Sequence, residues 1–200
     1  MRRLHPILLS AVPLALLRVD DWLDSDAVND TIDAPWVNAV TSRDGFAAGM
    51  NLTDPSVTTS LNKLSAKNGI TGAVIRAVRD INRITAGLIE DSVILAGVAP
   101  TVTGLPVSGA DFVSGQTIGK VVVRGIRGSA APSFNNSVLA ASRIAAVRLR
   151  EVRVQNDAVP FGLAAGESIG RLLRPGQPAL KSLTAGADPV QDVDFFVGIV

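Results

Sequence analysis

The sequence contains no cysteine and only one histidine, His5. Without a thiol there is no thiolate chemistry, no disulfide and no cysteine-ligated zinc. Any Ser-His-Asp triad or histidine-based metal site would have to use His5, whose neighbours are apolar. We therefore predict that the chain is not an enzyme, and we expect neither catalytic residues nor a resident cofactor.

The sequence also lacks a marked excess of either positive or negative charge, because the formal net charge is only +1. Nucleic-acid binding proteins need a clustered basic excess, so the sequence gives no electrostatic argument for that partner. Glutamate and lysine, the usual solvent-face residues of helices, number 3 and 4, against 15 aspartates and 15 arginines. Together with abundant valine, glycine and proline, this composition favours strands separated by turns.

The longest apolar run lies at the N-terminus, where Met-Arg-Arg precedes a run that ends at Leu17. A basic start followed by a short apolar run resembles a secretory signal, but no Ala-x-Ala site follows, and Pro6 and Pro13 interrupt the run. The run is too short to span a bilayer as a helix. Either it is a signal segment, or it joins or frays from the fold. The predicted division is a segment 1–18 and one domain 19–200.

An apolar-x-x-apolar signature recurs six times along the chain. Its first positions are separated by 24, 20, 37, 26 and 25 residues. The six occurrences are Val37-Asn-Ala-Val40, Leu61-Asn-Lys-Leu64, Ile81-Asn-Arg-Ile84, Ile118-Gly-Lys-Val121, Ile144-Ala-Ala-Val147 and Ile169-Gly-Arg-Leu172. A period of 20 to 26 residues suits one coil of a solenoid, and the long interval indicates an insertion within 97–115.

The predicted fold is therefore all-β, a parallel β-solenoid of about five to seven coils. In this fold the inward residues of each coil stack on equivalent residues of the next coil. The main alternative is an α/β or α+β domain, because the windows 73–89 and 138–153 also fit helical apolar stripes. The recurrence of one signature and the scarcity of glutamate and lysine favour the solenoid.

Three stretches of the sequence resemble repeat regions of very large, exported or surface bacterial proteins that are interpreted as parallel β-helices. They begin at Trp22-Leu-Asp-Ser-Asp26, at Gly69-Ile-Thr-Gly-Ala73 and at Phe134-Asn-Asn-Ser-Val138, and they cover roughly 19–200. The resemblance implies a segment of a larger secreted or cell-surface protein. It brings no catalytic residues with it.

Six aspartates fall within fourteen residues near the N-terminus, which is a pattern that could wrap a hard cation. Asp24, Asp26 and Asp30 are the candidate calcium ligands, in a spacing similar to the aspartate-rich calcium loops of exported proteins. Ala27 stands where those loops need glycine, and an EF-hand is not supported. The alternative interpretation is a set of solvated turn acids.

A basic row follows the fifth occurrence of the signature, with Arg148, Arg150 and Arg153 near one another. On a solenoid face this row could meet an anionic polysaccharide. We expect a structural or adhesive module whose partners are an extracellular polysaccharide or neighbouring repeats of a larger chain. The alternatives are a carbohydrate-active β-helix lyase or hydrolase that uses aspartate and arginine, and a small-ligand-binding globular domain.

Overall fold

The computed structural model describes residues 7–24, 29–113 and 115–200. Within these ranges the regular structure consists of strands and one 3-10 helix, Gly109–Asp111. The strands are β1 (Ile7–Leu9), β2 (Leu17–Val19), β3 (Thr31–Ala34), β4 (Val37–Ser42), β5 (Gly45–Phe46), β6 (Gly49–Leu52), β7 (Thr59–Ala66), β8 (Gly69–Thr71), β9 (Val74–Ala77), β10 (Asp80–Ala86), β11 (Ile89–Glu90), β12 (Val93–Ala96), β13 (Thr117–Val123), β14 (Phe134–Asn135), β15 (Val138–Arg148), β16 (Phe161–Leu173), β17 (Leu180–Thr184), β18 (Val190–Asp192) and β19 (Phe195–Ile199).

The strands stack into three faces, so the predicted parallel β-solenoid is confirmed. Face 1 contains β1, β3, β6, β9, β12, the first part of β15 (138–141), the first part of β16 (161–165) and β19. Face 2 contains β2, β4, β7, β10, β13, the second part of β15 (143–148), the second part of β16 (168–173) and β17. Face 3 contains β5, β8, β11 and β14. Because β15 and β16 each run through a corner, faces 1 and 2 form one continuous sheet.

The core is built from columns of apolar side chains that stack from coil to coil. On face 1, each residue of one column opposes the next in register, and all of them are at most 2% exposed. This column contains Ile32, Met50, Ile75, Ile94, Leu139, Leu163 and Val197. The stabilisation comes from removal of apolar area from water, and it builds up only when several coils are stacked.

The six occurrences of the signature lie in one register on face 2. Val37 opposes Leu61, Leu61 opposes Ile81, and the pairing continues through Ile118 and Ile144 to Ile169. The first and fourth residues of each occurrence are buried, while the two between them point outward or lie half-buried. Two consecutive outward residues interrupt the ordinary alternation of a strand, which explains why the same spacing also resembles a helix.

The corner between faces 3 and 1 repeats in successive coils with the same chemistry. Gly72, Asp91 and Asn136 occupy it with φ of 63°, 50° and 38°, a left-handed conformation that glycine, aspartate and asparagine tolerate better than other residues. The Nδ2 of Asn136 donates to the Oδ1 of Asp91 at 2.7 Å. The buried serine that follows also links coils, since the backbone N–H of Ser92 donates to the Oγ of Ser137 at 3.1 Å.

The insertion predicted within 97–115 lies between β12 and β13, where the 3-10 helix also falls. It folds back over the outside of face 1. Val98, Leu105 and Phe112 pack against a small apolar cluster of outward side chains, which includes Leu95 and Ala140. The long interval in the signature is therefore an added loop with its own small core, and the coil beneath it keeps its register.

The two ends of the stack differ among the described residues. The last coil is covered by antiparallel pairing, because β17 pairs with β16 and β18 pairs with β19. At the other end β1 and β2 lie at the edges of the sheet and pair in parallel with β3 and β4. Residues 7–19 thus contact the first coil, and the prediction of a signal segment at 1–18 stays a prediction.

The helical alternative for 73–89 and 138–153 is wrong. The first window forms β9, β10 and the start of β11, and the second forms β15 and the bridge at Val152. The helix-like spacing of the apolar positions is explained by the two consecutive outward residues in the strands of face 2 that carry the signature. Within the described residues, no helix is long and apolar enough to cross a membrane.

Candidate functional site

The charged side chains of face 2 are almost all of one sign. Its strands contain one carboxylate, Asp80, whose Oδ1 already accepts a hydrogen bond from the backbone N–H of Thr117 at 2.8 Å. They contain eight cations, which are Arg18, Lys63, Arg83, Lys120, Arg143, Arg148, Arg171 and Lys181. A chain with almost no net charge therefore has one strongly basic face.

Five of these cations occupy equivalent positions in different coils, and we call them the cation ladder: Lys63, Arg83, Lys120, Arg171 and Lys181. Lys63 opposes Arg83, and Arg83 opposes Lys120. Ala146 takes the next position, and Arg171 and Lys181 follow it. All five side chains belong to exposed residues. Since neighbouring strands are about 4.8 Å apart, the five steps from Lys63 to Lys181 span about 24 Å.

An open concavity of about 1030 Å³ lies over the later part of this face. Arg83, Lys120 and Arg171 of the cation ladder line it, and among the described residues no aspartate, glutamate or histidine does. Four further arginines line the same concavity, namely Arg124, Arg148, Arg150 and Arg174. Positive charge therefore converges from four successive coils onto one surface.

Two of these arginines are held by structural contacts. Arg174 is ion-paired to Asp192 at 3.0 Å, its side chain is only 10% exposed, and its guanidinium lies 5.1 Å from the ring centroid of Phe195. Arg150 lies along Gly125, where a Cβ would come within 2.6 Å of the arginine Cδ. Glycine at that position, with a φ of 78°, lets the arginine stem lie against the backbone.

The other cations of the concavity have no acidic partner among the described residues. Within the part of the chain that the structure describes, none of Arg83, Lys120, Arg124, Arg148 or Arg171 forms an ion pair. The contrast on the same face is Arg143, which pairs with Glu167 at 2.6 Å at the corner. The concavity thus presents uncompensated positive charge to solvent.

The basic row predicted from the sequence is only partly brought together. Arg148 and Arg150 line the concavity, whereas Arg153 follows the bridge between Phe134 and Val152 on the side of face 3. The sequence reasoning missed the cation ladder. Its signal was present in the third position of the signature, which is Ala39, Lys63, Arg83, Lys120, Ala146 and Arg171 in the six occurrences.

The candidate calcium ligands are distributed differently. Asp30 is 4% exposed, and its Oδ2 accepts a hydrogen bond from the indole N–H of Trp22 at 2.7 Å. Asp24 belongs to the described residues, and Asp26 lies outside them. Among the described residues no three histidine, aspartate or glutamate side chains are grouped as a metal site. Because one of the three ligands falls outside the description, the calcium site stays a prediction.

One carboxylate outside the basic face has a perturbed titration. The Oγ and backbone N–H of Ser56 both donate to Oδ1 of Asp54, at 2.6 and 2.8 Å. The hydroxyl hydrogen bond, followed by the backbone one, lowers the pKa of Asp54, and Arg79 contributes a smaller effect in the same direction. This Asp-x-Ser turn joins β6 to β7 and lies away from the basic concavity.

The fold and this surface together define a class of protein, a parallel β-solenoid with one basic face. Comparison with models of protein families, with curated proteins and with solved structures finds no match. Function therefore has to be argued from the surface itself.

Proposed function

We propose that this protein is a non-enzymatic structural and adhesive module of an exported or cell-surface protein, and that face 2 is its adhesive surface. The observation that carries the proposal is the concavity, which is lined by seven cations and, within the ranges that the structure describes, by no carboxylate or histidine. Such a lining offers charge for binding, while the paired carboxylates that hydrolytic acid-base chemistry uses are missing from it.

The rigidity of the support favours adhesion. The basic side chains project from strands whose inward neighbours, such as Ile84 and Val121, are fully buried in the stacked core. A rigid platform holds several weak contacts in place together, so that they act on one partner without a further cost of ordering the backbone. The spacing of the charges is therefore fixed by the coils.

An adsorption experiment tests the adhesive function. Purified protein is passed at 20 to 200 mM NaCl over a sulfonated matrix and over the same matrix without sulfonate groups. We expect salt-sensitive retention on the sulfonated matrix alone, and earlier elution for the double variant Arg83→Gln/Arg171→Gln than for Arg127→Gln/Arg153→Gln, which removes two exposed arginines outside the concavity. Equal elution of the two double variants would contradict the assignment of face 2.

The non-enzymatic part of the proposal has a separate test. The protein is incubated with acidic polysaccharides, with and without calcium, and the products are examined for unsaturated ends and new reducing ends. New ends that form at a rate proportional to protein concentration would overturn the proposal in favour of a lyase or a hydrolase. Export is tested by expressing the chain from its own Met1 in bacteria and measuring how much of it leaves the cytoplasm.

A further inference from the structure

We propose that the cation ladder binds a linear acidic polysaccharide, which lies along the solenoid axis and crosses the strands. This inference rests on the proposed adhesive function and names the chemistry of its partner. The polymer would contact Lys63, Arg83 and Lys120 in turn, then Arg148 beside the gap at Ala146, and then Arg171.

The arrangement of the cation ladder costs stability. Like charges directly opposite each other on neighbouring strands are destabilising. The position one residue earlier shows what the same strands do when they stabilise themselves. There Asn62 donates to Asn38 at 2.9 Å, and Asn82 donates to Asn62 at 2.8 Å. The asparagines satisfy one another's hydrogen bonds across the coils, whereas the adjacent cations repel one another. An anionic partner bound along the ladder would relieve this repulsion.

The spacing of the ladder also suits a polymer. Its positions recur once per coil, about every 4.8 Å, and all but the one at Ala146 hold a cation. A pyranose ring linked through opposite positions is of similar length, so the sugars of a linear chain would keep step with the coils. The acidic groups that turn towards face 2 would then meet its cations. At Ala146, where the ladder lacks a cation, Arg148 supplies the nearby positive charge. It lies two residues further along the same strand and also lines the concavity.

The surface fits a polysaccharide better than it fits the other common polyanions. Single-stranded nucleic acids are held by aromatic side chains on which bases stack, and no aromatic residue of the described ranges lines the concavity. The phosphates of each strand of a duplex advance by about 3.4 Å along the helix axis, which is less than the spacing of the coils. Insertion into a membrane needs exposed apolar side chains, and the apolar residues of this lining are buried or half-buried except Pro175.

The test measures binding of fluorescently labelled polygalacturonate to the full chain by anisotropy. If about four cations are engaged, counterion release predicts about a 50-fold loss of affinity between 50 and 200 mM NaCl. The variant Arg83→Gln/Arg171→Gln should bind more weakly at 50 mM and lose only about sevenfold over the same range. The matched control Arg127→Gln/Arg153→Gln should behave as wild type, and the charge-conserving Arg83→Lys/Arg171→Lys should recover most of the affinity. Circular dichroism verifies that each variant keeps the strand signal.

Length dependence tests the axial placement. Oligogalacturonates should gain affinity with each added sugar until they span the ladder, at about six sugars, and gain little beyond that length. Affinity that is independent of length, or a control variant as weak as the ladder variant, would overturn the inference. Tighter binding of single-stranded DNA, or of vesicles of anionic phospholipid, than of polygalacturonate at equal ionic strength would also overturn it.

The two proposals fail in distinguishable ways. If the protein is retained on the sulfonated matrix through face 2 but does not bind polygalacturonate, the partner is wrong and the adhesive surface stands. If retention on the sulfonated matrix also disappears, or does not depend on the ladder, the adhesive function fails as well.

Discussion

Reversing the charge of Arg83 should make the protein more stable, although it removes a native side chain. Arg83 lies between two like charges, since it opposes Lys63 on one side and Lys120 on the other. Two unit charges on the order of 6 Å apart interact by roughly 0.7 kcal/mol in bulk water. Arg83→Glu turns two repulsions into two attractions, a change of roughly 2.8 kcal/mol before screening and side-chain motion are considered.

Screening and the mobility of long exposed side chains reduce that figure to about 1 kcal/mol at low salt. For a chain of this size, about 1 kcal/mol corresponds to an increase in Tm of roughly 2 to 4 °C. The assay is urea unfolding followed by circular dichroism, in 20 mM and in 1 M NaCl; guanidinium chloride is unsuitable because it is itself a salt. Arg83→Gln should give about half of the gain.

The gain should vanish in 1 M NaCl, where the screening length is only about 3 Å. The control is Arg153→Glu, which makes the same change of charge outside the ladder and beside Glu151, so no stabilisation is expected. Equal or lower stability of Arg83→Glu at 20 mM NaCl would refute the reasoning, and so would a gain that persists in 1 M NaCl. Either result would mean that the ladder cations do not crowd one another.

Three further predictions concern the core, a strand crossing and a turn. Ile94→Ala should lower the free energy of unfolding by about 2 to 5 kcal/mol, because Ile94 is fully buried between Ile75 and Leu139. The control Val93→Ala, on the outward side of the same strand, should lower it less. Equal losses in urea unfolding would be inconsistent with the stacked column. Gly162→Ala should be strongly destabilising, because a Cβ there would lie 2.1 Å from the carbonyl oxygen of Phe196 and the backbone φ is 131°. The control Gly104→Ala should be neutral, since no atom beyond its chain neighbours lies within 4 Å of its added Cβ. A folded Gly162→Ala protein with wild-type Tm would contradict the backbone geometry. Ser56→Ala should raise the pKa of Asp54 towards its ordinary value, as measured by NMR titration. The depressed pKa contributes stability above the unfolded value of 3.8, which is lost as the pH falls through the folded pKa, so the variant should lose less stability on acidification. The backbone N–H of residue 56 remains in the variant, so an unchanged pKa would rule out the Ser56 hydroxyl as the main cause.

The coil register could be predicted from the sequence because it depends on large buried side chains at fixed positions. Val40 and Leu64, which end the first two occurrences of the signature, pair in the structure as the spacing indicates. The insertion could be located as well, because glycine, proline, serine and threonine are concentrated where the interval lengthens. Both features leave a local mark in the composition or the periodicity.

Face 3 could not be predicted, because its strands are too short to show a period. β5 and β11 have two residues each, and in each of them one buried side chain, Phe46 or Ile89, is the only apolar mark. Such a pair of residues looks the same in any turn. Its role appears only when the coils bring Phe46 beside Ile70 and Ile70 beside Ile89.

The candidate site was predictable only in the part that is contiguous in sequence. Arg148 and Arg150 stand close together in the chain, so they were visible as a row. Lys63, Arg83 and Lys120 are separated by 20 and 37 residues, and only correct register across an insertion of this length places them side by side. A surface formed by residues far apart in the sequence can be predicted only after the register of every strand between them is known.

The stacking of coils also determines how this molecule would respond to mechanical load. Each coil is held mainly by the coils directly above and below it, so tension applied at one end of the stack is concentrated on the outermost coil. Coils would therefore peel away one at a time, and a coil of about 24 residues would lengthen the tether by about 80 Å. If a polymer bridges several rungs of the cation ladder, it fastens neighbouring coils to one another, and the attachment would then strengthen the solenoid against peeling while it is under load.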